Sequence, residues 1–348
     1  MIRDAIPRVM RGENLDALEA AAVMQEMMSG AATQSQMAAL LVAMRIKGET
    51  VDEICGFSRT MRAHVVHIVP PRTRNHIDTC GTGGDALTID GLACSTFNIS
   101  TAAAFVAAGA GVPVAKHGNR AMSSKCGSAD VLEAAGVPIE APPEVLAKAI
   151  DDIGIAFLFA QKLHPSMRFA APVRREIGVR TVFNVLGPLT NPAKAERQLI
   201  GVWDAEWLRP VGEALGVLGS ERAMVVHGIP GLDELSTVGP SQVAEWRDGA
   251  LRTYTLDAAD LGFPAARIED LKGGDVQQNA RTLERILQGE EGFHRDVVLL
   301  NAAAALLVAD HAADWPEALE GARRSIDAGA AFSKLEALRA LDVGEPAP

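Results

Sequence analysis

No apolar run in this chain is long enough to cross a bilayer, which takes ~20 nearly uncharged residues. The first residues, MIRDAIPRVMRGENLD, lack the apolar stretch of a secretory signal. Only four cysteines occur, Cys55, Cys80, Cys94 and Cys126, and no two stand at CxxC spacing. That argues against a zinc ribbon and a disulfide framework, and leads us to expect a reducing cytoplasm. Positive charge is also short. The formal charge of −11 opposes a nucleic-acid partner, which would need a basic face. Internal repeats, a Walker P-loop, a G-x-S-x-G elbow and an HExxH helix are all missing.

What is present is an ordinary globular composition, 48% hydrophobic and 22% charged over 348 residues. That length buries a substantial core, and one large domain plus a small one is expected. Residues 1–70 read as three short amphipathic helices. "ENLDALEAAAVMQEMMSG" carries Leu15, Leu18, Val23, Met27 and Met28 at broadly helical intervals. Thr33-Gln-Ser-Gln36 and Thr50-Val-Asp-Glu53 are capping-box patterns, each opening a further helix. From about residue 75, β-prone runs such as "HIDTC", "VPVAK" and "IAFLFA" alternate with alanine-rich helical runs. This alternation predicts parallel strands with helices on both faces. The fold expected is α/β: a mostly parallel central sheet flanked by helices, beside a small helical domain. "VAEWRDGALRTYTL" reads as a hairpin turning at Asp248-Gly249. "HPSMRFAAPVRREIGVR" looks helical, and "TVFNVLGPLTNP" is broken by Gly187-Pro188 and Asn191-Pro192, as a hinge would be.

Five stretches carry chemistry. In "CGTGGD", glycines after a strand let backbone N–H groups approach an anion, though the same string could be a plain turn. A dinucleotide reading fails because no helix follows directly and no acidic residue sits ~20 residues on. Asn98-Ile-Ser-Thr101 opens an alanine-rich helix, and a helix start binds phosphate, or is only capped. "AKHGNRAMSSKCGSAD" places Lys116, Arg120 and Lys125 in a hydroxyl-rich loop, the best anion site in an acidic protein. Asp233-Glu234 in "GIPGLDELS" follows a buried-looking strand. Adjacent carboxylates there suit Mg²⁺, which takes one or two plus phosphate oxygens and water. Arg174-Arg175 could present a guanidinium to a carboxylate, or simply face solvent. His64 and His67 lack metal-binding helical spacing and read as structural.

In order along the chain stand "GTGGD", "NIST", "KHGNR", "SSKCGSADVLEAAG", "HPSM", "LGPLTNPA", "LDELS" and "LLNAAAAL". This series resembles the anthranilate phosphoribosyltransferases from about residue 10 to 335. The resemblance implies the fold shared with pyrimidine nucleoside phosphorylases, a homodimer and Mg²⁺. It implies a small helical domain of residues 1–72 and 163–187 and a large one of 73–162 and 188–348. The implied reaction joins anthranilate to the phosphoribosyl group of phosphoribosyl pyrophosphate and releases pyrophosphate.

Carried over by motif, Gly81, Gly84 and Asp85 would belong to the phosphoribosyl pyrophosphate loop. Thr96, Asn98, Ile99, Ser100 and Thr101 would meet pyrophosphate, Ser100 also lying near the metal. Lys116, His117, Gly118, Asn119, Arg120, Ala121, Met122, Ser123, Ser124 and Ser128 would surround the phosphoribosyl group. Asp233 and Glu234 would hold Mg²⁺. Gly81, Asn119 and Arg174 would meet anthranilate. The segment between Asp85 and Asn98, "ALTIDGLACST", is longer than the resemblance leads one to expect. No Ser/His or Cys/His nucleophile is evident, so catalysis is expected to act on the leaving group, through Lys116, Ser100 and the metal. The rival readings are a pyrimidine nucleoside phosphorylase-like enzyme and a non-catalytic relative that binds nucleic acid.

Overall fold

The computed structural model describes residues 1–83, 87–89, 92–121 and 126–344; from 87–89 and 92–94 only the backbone is described. Four helices come first: α1 (Ile2–Met10), α2 (Ala17–Ser29), α3 (Gln34–Lys47) and α4 (Val51–Ala63). The last three start where side chains satisfy the orphan N–H groups of the first turn. Asp16 with Glu19, Thr33 with Gln36, and Thr50 with Glu53 each form a reciprocal capping box. Helix α1 is one more than the sequence pattern suggested. It contains Pro7 and lacks a side-chain cap, yet buries Ile2, Ala5 and Val9 along one face. Leu18, counted in the apolar stripe of α2, is 82% exposed.

The chain then alternates. Strand β1 (Ile77–Gly81) is followed by a small antiparallel pair, β2 (Leu87–Ile89) and β3 (Leu92–Cys94). This pair accommodates the long segment before the NIST motif. Next come α5 (Ile99–Gly109), β4 (Val114–Gly118), α6 (Ser128–Ala134), α7 (Pro143–Asp152) and β5 (Ile155–Phe159). The short helix α8 (Ala160–Leu163) follows, and two more, α9 (Ala171–Ile177) and α10 (Phe183–Leu186), return to the N-terminal layer. The rest is β6 (Arg197–Gly201), α11 (Leu208–Val217), β7 (Arg222–Gly228), β8 (Ser241–Arg247), β9 (Ala250–Leu256), α12 (Val276–Leu287), α13 (Phe293–Val308), α14 (Trp315–Asp327) and α15 (Ala330–Arg339). Among the described residues no helix is long and apolar enough to cross a membrane.

The main sheet runs β5-β4-β1-β6-β7-β8-β9, parallel from β5 to β7 and antiparallel beyond. The β8–β9 hairpin turns at Asp248 and Gly249, both with positive φ, as the Asp-Gly pair predicted. Strand residues alternate between the two faces, as the pleat requires. Leu199, Met224 and Val226 join a core with α5 and α13, whereas Ile200, Ala223 and Val225 join one with α11 and the N-terminal helices. Beneath β4 and β5 a smaller core holds Ala115, Ala156 and Leu158 against α7.

Three crossings connect the helical layer to the sheet, and they are tied together. Val66 N donates to the Leu163 carbonyl (2.8 Å) and Ile68 N to that of Pro192 (3.0 Å). Asn191 Nδ2 donates both to Asp78 Oδ2 and to the Ala115 carbonyl, each at 2.8 Å. The stretch read as a broken hinge is therefore a short helix, α10, followed by a 3₁₀ turn at Pro188–Thr190 and an anchored asparagine.

Candidate active site

Strand order reverses at β1. The chain steps from β1 through β4 to β5 on one side, then resumes at β6 on the other. A crevice at the carboxyl ends of strands follows from such a switch point. A cleft of ≈ 280 Å³ lies there. Gly81, which lines it, and Gly201 are register partners at the ends of β1 and β6. Both approach Asp233 closely: a Cβ on Gly81 would meet its carboxylate, and one on Gly201 would overlap its carbonyl. We expect Gly201→Ala to displace the Asp233 loop, lowering kcat at least about tenfold and stability by about 1–3 kcal/mol. Unchanged kcat and Tm would show that the approach has slack.

The acidic dipeptide and the glycine-and-hydroxyl cluster converge on this crevice. Asp233 Oδ2 accepts from Gly83 N at 2.8 Å, and Glu234 Oε1 accepts from Ser100 N at 3.0 Å. Both carboxylates are only 7% exposed. Lys116, 2% exposed, donates from Nζ to the Thr79 carbonyl (2.6 Å) and stands 3.4 Å from Ser100 Oγ. Burial pushes its ammonium below the usual lysine range, and the carboxylates of Asp78, Glu234 and Asp233 oppose that shift. Asp78 is fully buried, and loss of solvent raises its carboxyl above the ordinary value. It accepts from His117 N (3.1 Å) as well as from Asn191, so it links β1, β4 and the crossing at 191.

The remaining candidates divide. Thr96, Asn98, Ile99, Thr101, Gly118, Asn119, Arg120, Ala121 and Ser128 line the same cleft. Asn98 occupies the N-cap position of α5 without capping it; its Nδ2 donates to the Cys126 carbonyl at 3.2 Å instead. Thr101 is fully buried with a hydroxyl that finds no partner among the described residues. The Arg120 guanidinium is engaged by Asp130 (3.0 Å) and Glu133 (2.7 Å) on α6, so its charge is already compensated. Asn119 Oδ1 accepts from Arg120 N at 2.8 Å. Gly84, Asp85, Met122, Ser123, Ser124 and also Lys125 lie outside the described residues.

The opposite wall comes from the helical layer. Arg174 reaches the cleft from α9 and lies over the Phe183 ring, 5.3 Å from its centroid. Burial pushes its guanidinium down to about 10, which leaves it cationic at neutral pH. No carboxylate pairs with it among the described residues, whereas most arginines here have an acidic partner. Arg175 is exposed. Phe183, Asn184, Pro188 and Ala160 also line this wall. Sequence reading missed them, since nothing in "TVFNVLGP" distinguishes a cleft-facing side chain from a core one.

A histidine pair braces the floor. His164 Nε2 and His117 Nε2 are 3.1 Å apart. Burial pushes His164 down to about 4 and His117 well below its usual value, so both are neutral at pH 7, one donating and one accepting. Below the usual 6.5, the unfolded chain takes up a proton at His164 that the folded protein refuses until about 4. Stability is therefore present above that window and lost as pH falls through it, by up to roughly 3 kcal/mol. We expect Tm to fall between pH 6.5 and 4, and His164→Gln to flatten the decline. An identical slope in the variant would remove His164 as its cause.

Two family models match nearly end to end: "Glycosyl transferase family, helical bundle domain" over residues 3–65 and "Glycosyl transferase family, a/b domain" over 73–332. Fold and cleft thus define a glycosyl transferase of helical-plus-α/β build. An anthranilate phosphoribosyltransferase of Moorella thermoacetica is 51% identical over 341 residues, 97% of each chain. The crystal structure of the anthranilate phosphoribosyltransferase from Thermus thermophilus superposes with a TM-score of 0.90 at 44% identity, covering 97% of this chain and 99% of that one. The Saccharomyces cerevisiae enzyme in complex with PRPP and Mg gives 0.84 at 25% identity, covering 96% of each. The chain belongs to the anthranilate phosphoribosyltransferase family.

Proposed function

We propose that this cleft transfers the 5-phosphoribosyl group of phosphoribosyl pyrophosphate to the amine of anthranilate, in tryptophan biosynthesis. The C1–O bond to pyrophosphate breaks, a C1–N bond forms, and the nitrogen gives up one proton. The observation that carries this reading is the division of charge across the cleft. Buried Lys116, the Ser100 helix start and the Asp233-Glu234 pair stand on one side. Arg174, a cation with no acidic partner among the described residues, stands on the other, packed on an aromatic ring.

The donor set fits Mg²⁺. Asp233, Glu234 and Ser100 offer only hard oxygen ligands. Among the described residues no group of three or more acidic, His or Cys side chains could hold an ion alone. The other positions would then fall to phosphate oxygens and water, which is how Mg²⁺ is usually held. When bound, the ion would neutralise charge on the departing pyrophosphate. Lys116 would add a second, fixed positive charge there, and the Thr101 hydroxyl a donor. Gly81, Gly84, Asp85 and Thr96 to Thr101 would cradle pyrophosphate, and Lys116 to Ser124 with Ser128 the ribosyl phosphate. Arg174 and Asn119, with Gly81 beneath, would hold anthranilate so that its weak amine meets C1, a proximity effect.

We place residues 1–72 and 163–187 in the small domain and 73–162 and 188–348 in the large one, closing about the stretch "NVLGPLTNP". Apolar Val42 and Ile46, one turn apart on α3 and exposed, with Met10 and Leu18 exposed on the preceding helices, support a homodimer formed through the helical layer. A cytoplasmic location suits the free thiols of Cys55, Cys80 and Cys126. The test is fluorescence detection of phosphoribosylanthranilate from the two substrates with Mg²⁺. Phosphoribosyl pyrophosphate with Mg²⁺ should raise Tm, and thymidine with phosphate should not. The reverse pattern would point to a nucleoside phosphorylase.

A further inference from the structure

The short helix α10 presents the cleft with two neighbours that no motif singled out, Phe183 and Asn184. Phe183 is buried and carries the Arg174 guanidinium on its face. Asn184 is half-buried, and its side-chain orientation is determined by chemistry. Thr181 N lies 3.1 Å from Asn184 Oδ1, and a backbone N–H can only donate, so the amide oxygen must face Thr181. Asn184 N returns a bond to the Thr181 carbonyl at 2.9 Å, which locks the turn. The amide nitrogen is therefore turned away from the backbone. Nothing among the described residues accepts from it, and it stands on the wall that holds Arg174.

We propose that Asn184 is a second substrate-binding residue, donating from Nδ2 to the carboxylate of the aromatic amine that Arg174 holds. The inference rests on the phosphoribosyl-transfer reading above and specifies its acceptor site. A carboxylate offers about four lone-pair sites, so a guanidinium occupying two leaves room for another donor. Phe183 then serves as a flat apolar neighbour for both the guanidinium and the substrate ring. Two donors fix the plane of the carboxylate, and hence the direction in which an amine ortho to it points. One donor alone leaves the ring free to pivot. Asn184 thus discriminates an ortho-amino aromatic acid from a neutral aromatic amine.

The experiment compares wild type, Asn184→Ser and Asn184→Asp in steady-state assays with anthranilate and phosphoribosyl pyrophosphate. Aspartate retains an oxygen where Asn184 Oδ1 stands and serine a shorter hydroxyl, and unchanged Tm values verify that the turn survives in each. Neither supplies the cleft-facing N–H₂ group, and aspartate adds a negative charge. The anthranilate KM should rise about tenfold in the serine variant and up to about 100-fold in the aspartate variant. The KM for phosphoribosyl pyrophosphate should stay within about twofold. A merely structural role predicts wild-type kinetics in the aspartate variant, which preserves the cap, and in the serine variant if its Tm is unchanged; that result overturns the inference, as does a rise confined to phosphoribosyl pyrophosphate. Wild-type protein that makes no phosphoribosylanthranilate overturns the reading beneath it and the inference together.

Discussion

Replacing Asp233 by Asn together with Glu234 by Gln is expected to lower kcat on the order of 10³-fold and to abolish the response to magnesium. The amides are nearly isosteric and keep an oxygen for each backbone donor. Gly83 N can still donate at position 233 and Ser100 N at position 234, so the crevice keeps its shape. What disappears is the pair of negative charges that a divalent ion requires. Alanine at both positions would confound this loss with collapse of the loops that the carboxylates hold. The measurement is kcat as a function of Mg²⁺ concentration, with Tm as control. A titration curve coinciding with wild type would disqualify both residues as ligands.

Arg174→Ala is expected to raise the anthranilate KM by about 10- to 100-fold while leaving that for phosphoribosyl pyrophosphate nearly unchanged. Its guanidinium sits in surroundings that disfavour charge, enough to push it down to about 10, yet no acidic residue among those described relieves the cost. A carboxylate ligand would relieve it, and so should bind more tightly than the same contact would allow in water. Removing the side chain also uncovers one face of Phe183. Lysine would restore the charge without the planar fork and should recover only part of the affinity. Equal effects on both substrates would remove Arg174 from the anthranilate site.

Local signals made much of the architecture readable. The capping boxes at Thr33 and Thr50, the Asp-Gly turn and the alternation of β-prone with alanine-rich runs are short-range features, and each became the expected element. Helix α1 escaped because its burial pattern is shared with Pro7, normally a breaker, and no capping residue announced it. Within the site, "NIST", "KHGN" and "LDE" could be singled out as separate strings, but only the resemblance to a known family, and no pattern in the strings themselves, implied that they meet. Their meeting depends on the β1–β6 switch and on pairs such as Asn191 with Asp78, 113 residues apart. Arg120 shows the opposite difficulty. It counted as a free cation in a basic loop until Asp130 and Glu133, one helix later, were seen to engage it. Asn184 gave no signal at all, because its meaning lies in which way one amide is turned.

The carboxylates at Gly83 and Ser100 bear on which form of a polyanion the protein accepts. Two backbone N–H groups of the cleft, those of Gly83 and Ser100, already answer to Asp233 and Glu234. A bare polyphosphate would be repelled by those carboxylates, whereas one arriving with its charge compensated could exchange places with them. On the proposed magnesium-dependent reading, screening at this entrance would act on ionic state before shape, and a chelator in solution would compete with the enzyme for its substrate without ever touching it.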